Sequence, residues 1–284
     1  AGDAGLIYAY LALHLRPDFP VAQFLVGEVL DLLERYEDAI EVYSGIASSS
    51  HYSWSARLRA ASNLASVQRV DKAVNILKEM VDENPKRSDA AITLADVLRR
   101  NERFDESVKF YDVAIGRTIG FEARHWTLFY SRGVMLERTK QWPLAEADFL
   151  HALELKPDQP LVLNYLGYSW VEQGMNLERA MKLIQRAVAL RPRDGYIVDS
   201  LGWAHYRLGD FENAVKFLER AVELRADDPI ITDHLGDIYW KVGRQNEARF
   251  QWERSLVLGA EEEAAILIRQ KLKEGLLDSH EGTQ

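Results

Sequence analysis

Small residues recur down this 284-residue chain in one column, Ala39, Ala73, Ser107, Ala145, Ala180, Ala214 and Ala248, at steps of 34, 34, 38, 35, 34 and 34. A second column, Ile46, Met80, Ala114, Ala152, Ala187, Ala221 and Ser255, keeps the same steps. Two columns in register at this period specify a repeat array, in which each unit buries its apolar face against its neighbours rather than around one shared centre. A single unit of this length is too small to offset its own ordering entropy, so the repeats must stack.

Further columns share the register. One unit carries Leu163, Leu166-Gly167, Trp170, Ala180, Ile184, Ala187 and Pro192, with one extra residue near Met175. The next carries Leu201-Gly202, Leu208-Gly209, Phe211, Ala214, Leu218 and Ala221, and the last Leu235-Gly236, Tyr239, Gly243, Ala248 and Trp252. Gly133, Trp142, Ala145, Phe149, Ala152 and Pro157 mark the unit before them, where Arg132 replaces an expected leucine. Towards the N-terminus, Gly27, Tyr36, Ala39 and Tyr43, then Ala61, Leu64, Ala73 and Leu77, then Ala95, Leu98, Phe104, Ser107 and Tyr111 stay in phase. This unit resembles the tetratricopeptide repeat, a helix-turn-helix of 34 residues. The resemblance implies an all-α solenoid, a right-handed superhelix of antiparallel helix pairs.

On that template seven repeats are expected at 20–53, 54–87, 88–121, 126–159, 160–194, 195–228 and 229–262, with Glu122 to His125 as an insertion. The glycines at position 8 (Gly27, Gly133, Gly167, Gly202, Gly236) and the alanine column at position 20 are expected where paired helices approach most closely. A larger side chain there would overpack the contact by about 1 to 3 kcal/mol. Large residues at positions 11, 17 and 24 are expected to fill the space between units. Prolines punctuate, ending second helices at Pro17, Pro85, Pro157 and Pro192 or opening first helices at Pro20, Pro160 and Pro229. Residues 1–19 read as the second helix of a truncated repeat. Residues 263–277 read as a capping helix, with acid at its start, base at its end and Gly275 after it, and 278–284 as a flexible tail.

Composition narrows function. The formal net charge of -9 opposes nucleic-acid binding, which depends on basic groups displacing counterions from phosphate. No apolar run approaches the roughly 20 residues that span a bilayer. Without cysteine there are no disulfides or cysteine-ligated metals; this composition fits an oxidising compartment, and many cytosolic chains also have few cysteines. No phosphate loop, nucleophile elbow or paired-histidine zinc motif occurs, and the seven histidines lack ligand spacing, so no catalytic residue, metal site or cofactor is assigned.

The resemblance therefore places function on the concave groove lined by first-helix positions 2, 5, 9, 12 and 13. In the last three repeats those positions interleave aromatic and charged residues. The candidate binding set is Asn164, Tyr168, Tyr196, Asp199, Trp203, Tyr206, Arg207, Asp233, Asp237, Trp240 and Lys241. The rings are low-entropy contact groups of the kind enriched at hot spots, and the three aspartates favour a basic or amide-rich ligand. Inter-repeat packing is the alternative role for the rings, and whether peptide, glycan or lipid headgroup is held stays open. The family's clamp for acidic C-terminal tails is not expected, because positions 5, 9 and 13 carry Asp199, Trp203 and Arg207, or Asp233, Asp237 and Lys241.

Residues 163–256, above all the run Asp199 to Trp203, resemble a group of long bacterial cell-envelope repeat proteins. That implies a non-catalytic scaffold for a partner protein or peptide, periplasmic or envelope-associated, with a cytoplasmic location as the alternative. Self-association through the N-terminal edge, or service as the repeat region of a larger enzyme, are the alternative functions.

Overall fold

The computed structural model describes residues 2–276; the expected tail at 278–284 lies outside the described residues. Among the described residues there are sixteen α-helices, one short 3-10 turn and no strand. The chain folds as two compact units, one ending at Leu155 and one beginning at Lys156.

In the first unit α1 (Gly2–Leu15) is followed by four pairs: α2 (Pro20–Leu32) with α3 (Tyr36–Ser44), α4 (Ser53–Ser66) with α5 (Val70–Glu83), α6 (Asp89–Arg100) with α7 (Phe104–Arg117), and α8 (Trp126–Arg138) with α9 (Trp142–Leu155). The second unit holds α10 (Pro160–Glu172) with α11 (Leu177–Leu190), α12 (Gly195–Arg207) with α13 (Phe211–Leu224), α14 (Pro229–Lys241) with α15 (Gln245–Val257), and a closing α16 (Glu262–Glu274). Ala123–His125 form the 3-10 turn, in which the Glu122 N–H donates to His125 Nδ1 at 2.8 Å.

The helix-to-helix turn is one construction used seven times. At position 16 the backbone N–H reaches back to the carbonyl at position 11, as in Arg35 to Leu30, Arg69 to Leu64, Arg103 to Leu98, Gln141 to Leu136, Met175 to Trp170, Asp210 to His205 and Arg244 to Tyr239, at 2.8 to 3.0 Å. This bond closes the end of the first helix and needs the intervening residue in the left-handed region. Glu34, Gln68, Glu102 and Lys140 hold that position at φ 55° to 63°, and Gly174, Gly209 and Gly243 at 66° to 83°. The extra residue after Met175 is taken up by Asn176, itself left-handed at φ 47°, so α11 starts one residue late.

The glycine column has a specific occupant. A Cβ on Gly27 would collide with the Tyr43 ring, and one on Gly236 with the Trp252 indole. One on Gly133 would lie 2.8 Å from Phe149, and on Gly167 and Gly202 2.7 Å from Ile184 and Leu218. The large residue at position 24 therefore sits over the glycine of its own pair. This corrects its expected placement between units: the ring is keyed first into the partner helix beneath it. Burial follows: Ala39, Ala73, Ala145, Ala180, Ala214 and Ala248 are fully buried, as are Phe149, Ile184, Leu218 and Trp252.

Arg132, where leucine was expected, reaches Asp148 through Nε and Nη2 at 2.7 and 2.6 Å and Asp112 through Nη1 at 2.8 Å. The Asp148 carboxyl is buried, which pushes its pKa up against the pull of Arg132. A fork-to-fork ion pair thus fills the place of an apolar contact.

Candidate functional site

The first helices of the second unit, α10, α12 and α14, carry the expected groove positions. Here the structure joins four of the candidate residues, Asp199, Trp203, Tyr206 and Arg207, into one connected cluster. Trp203 on α12 donates its Nε1–H to Glu172 Oε1 on α10 at 2.5 Å, and Arg207 Nη1 meets the same oxygen at 3.1 Å. The Trp203 ring stacks on His234 of α14 at 4.1 Å and on Tyr206 at 4.7 Å, with interplanar angles of 19° and 18°. Two rings stacked so nearly over one centroid would overlap if they shared a face, so they cover opposite faces of the indole. Trp203 is consequently clasped, with only its edge left for a ligand, while Tyr206, half-buried, packs in turn on Phe211 at 6.0 Å.

His234 is fixed from below. Its Nδ1 lies 2.9 and 3.1 Å from the two carboxylate oxygens of Asp199, and both side chains are nearly enclosed. Burial alone would lower the imidazole pKa, but the Asp199 carboxylate beside it, with Asp233 and Asp237 further off, holds it above the ordinary histidine value.

The other two aspartates also have partners within the chain. Lys271, on α16, places its ammonium 2.9 Å from Asp233 and 2.7 Å from Asp237, and Trp252 Nε1–H donates to Asp237 at 2.9 Å. Burial opposes the charge on Lys271, and the two carboxylates outweigh it, raising its pKa. Trp240 packs on Trp252 at 5.4 Å with the Arg249 guanidinium 5.5 Å from its ring. The Gly275 backbone lies against that indole so closely that a Cβ there would overlap it. These acidic and aromatic residues are thus engaged by α15, α16 and the turn after α16.

Tyr168, half-buried, has its hydroxyl pKa raised by burial first and by Glu172 and Asp199 second. Asn164 is half-buried, and its Oδ1 is enclosed without a hydrogen-bond partner among the described residues; Lys241 is half-buried at the end of α14. Tyr196 is not brought into the cluster. Its ring carries the Arg225 guanidinium at 4.4 Å and lines a separate depression.

Sequence reasoning passed over His234 and Lys271 as site members. A partial signal was present: Lys271 lies 34 residues after Asp237, one repeat period, and His234 lies 35 after Asp199, one residue beyond a period. Elsewhere His205 bonds Asp210 at 2.9 Å and stacks on Phe217, and Asp228 caps α14 by accepting from Ile230 and Ile231 N–H. Among the described residues no group of three or more His, Asp or Glu side chains is arranged to hold a metal ion, and no helix is long and apolar enough to cross a membrane.

Comparison with known proteins agrees with this architecture. Models of the tetratricopeptide repeat match residues 64–118, 166–229 and 200–265, together more than half of the chain. The chain is 28% identical over 192 residues to the TPR repeat-containing protein PA4667 of Pseudomonas aeruginosa, across 66% of this chain and 31% of that relative. It thus spans about a third of the relative's length. In fold it is similar to a chain of the APC/C hetero-tetramer Cut9-Hcn1, with TM-score 0.70 and 17% identity over 96% of this chain and 52% of that one. It is also similar to a tetratricopeptide repeat protein from Parabacteroides merdae, with TM-score 0.61 and 13% identity over 96% of this chain and 97% of the other. Such a fold supports a protein–protein interaction scaffold. From the in-register columns, the repeated turn and these matches, the chain belongs to the tetratricopeptide-repeat family.

Proposed function

We propose that this protein is a non-catalytic scaffold that holds a partner protein or an extended peptide on the first-helix face of its second unit, in support of the bacterial cell envelope. The observation that carries the reading is the cluster on α10, α12 and α14. Tyr168, Tyr206 and Arg207 are presented on a frame made rigid by the Trp203 to Glu172 bond and the His234 to Asp199 pair. Rigid aromatic groups beside fixed charges lose little entropy on binding. The acidic residues Asp199, Asp233 and Asp237 contribute by fixing the frame. The periplasmic or envelope location is supported by the resemblance of residues 163–256 to long envelope repeat proteins.

The test is a crosslinked capture from soluble and envelope fractions of the source organism, comparing wild type with Tyr206→Ala/Arg207→Ala. Loss of a specific protein from the variant's capture, with melting unchanged, supports the groove; equal capture by both contradicts it.

A second reading, self-association, is favoured by α1, whose Ile7, Tyr8, Tyr10, Leu11 and Leu15 are all exposed, Leu15 at 85%. Light scattering at rising concentration checks it, and a constant monomer mass counts against it.

A further inference from the structure

The segment Arg191 to Tyr196 differs at one informative place from the repeats on either side of it. Where α2, α10 and α14 open on proline, α12 opens on Gly195. A Cβ there would overlap Arg225 Cγ and lie 3.1 Å from Arg225 Cβ, so the glycine is what lets Arg225 lie across the start of α12. From that seat Arg225 stacks on the Tyr196 ring and donates through Nη2 to the Tyr196 hydroxyl at 2.7 Å. The two residues hold each other upright at the wall of an open depression of about 590 Å³.

Arg191 and Arg193 line the same depression. Arg193 is exposed and makes no hydrogen bond or ion pair among the described residues. Arg191 meets Asp194 only at 3.8 Å, and Asp194 is the one acid in the lining among the described residues. Asp227 and Asp228 act on Arg225 from outside it, and Asp228 is committed to capping α14. Three guanidiniums against one carboxylate form a local excess of positive charge on a chain of net charge -9.

We propose that this depression is a second binding site, separate from the ring cluster, which takes a carboxylate-bearing segment of a partner polypeptide. Arg193 and Arg191 receive the carboxylates through their planar forks, and Arg225 with the Tyr196 ring forms the wall against which the segment's apolar portion lies. The charge contrast with the rest of the surface selects an acidic segment and steers it to this one place.

The test uses the full chain and a fluorescein-labelled hexaglutamate peptide followed by anisotropy, with labelled hexalysine as the control probe. Wild type is expected to bind hexaglutamate in a salt-sensitive manner. Arg225→Ala is expected to weaken that binding about tenfold, and Arg191→Ala/Arg193→Ala to reduce it by more. Gly195→Ala keeps every charge and is expected to weaken binding by unseating Arg225, with the melting curve confirming a folded array. Absence of binding by wild type, or equal affinity in the arginine variants, overturns the proposal. Displacement of the peptide by inorganic tripolyphosphate at concentrations below that of unlabelled hexaglutamate reassigns the site to phosphate and also overturns it.

Discussion

At the scale of the residue, this chain repeatedly places a charge where its repeat pattern calls for an apolar group, and supplies a partner to hold it. Arg132 is the clearest case. Replacing Arg132 by leucine restores the pattern but strands the buried Asp148, a loss of about 3 to 5 kcal/mol. Adding Asp148→Leu should recover most of it, because an apolar pair of similar volume is often at least as stable as the ion pair. Urea denaturation of both single variants and the double variant measures the cycle; a double variant no more stable than Arg132→Leu would contradict the pairing. His234 and Asp199 give a second outcome. The folded imidazole pKa is raised above the unfolded value of about 6.5. Its stabilisation is therefore fully present below the unfolded value and lost as pH rises through the folded one. Asp199→Asn should lower the melting temperature most at acidic pH, with the gap narrowing as pH rises; a pH-independent gap would contradict a charged pair. Lys271 was legible as a one-period offset from Asp237, and His234 as one residue beyond a period from Asp199, but their pairing was not. A repeat template aligns like positions, whereas these contacts join position 6 to position 5, and position 9 of α16 to positions 5 and 9.

At the scale of the element, the seven turns show why the fold was readable and its strain was not. Columns of Ala and Gly are visible because the helix pair tolerates nothing larger. The left-handed turn at position 15 is visible only where it is glycine, at Gly174, Gly209 and Gly243. In the first unit the same backbone is imposed on Glu34, Gln68, Glu102 and Lys140, because the bond from position 16 to position 11 requires it whatever the side chain. Lys140→Gly should therefore stabilise by about 0.5 to 1 kcal/mol, the relief of left-handed strain less the entropy glycine loses on folding. Gly209→Ala should cost about 1 kcal/mol or more for the converse reason. Chemical denaturation of the two variants decides this, and a destabilised Lys140→Gly or an unaffected Gly209→Ala would refute the shared turn. The closing helix belongs to the same scale. Its acid-to-base pattern marked it as a helix, but its role as the counter-ion donor for α14 appears only in three dimensions, through Lys271.

At the scale of the whole molecule, the periodicity specified an array of helix pairs, and an array offers surface rather than an enclosed reaction chamber. The ring cluster lies where first helices of adjacent repeats run side by side, and its members come from α10, α12 and α14. Sequence reasoning found the aromatic content of this face and set Trp203 among the groove contacts, with packing as the alternative; the clasp by Tyr206 and His234 moves ligand contact outward to Tyr206, Tyr168 and Arg207. The most direct measurement is site-specific photocrosslinking in the source organism, with a benzophenone side chain placed in turn at Tyr206, at Tyr168 and at the exposed Val257 on α15. The account expects one partner protein to be crosslinked from positions 206 and 168 and not from 257. Crosslinks from 257 alone, or from none of the three, would contradict a partner-binding face on the second unit.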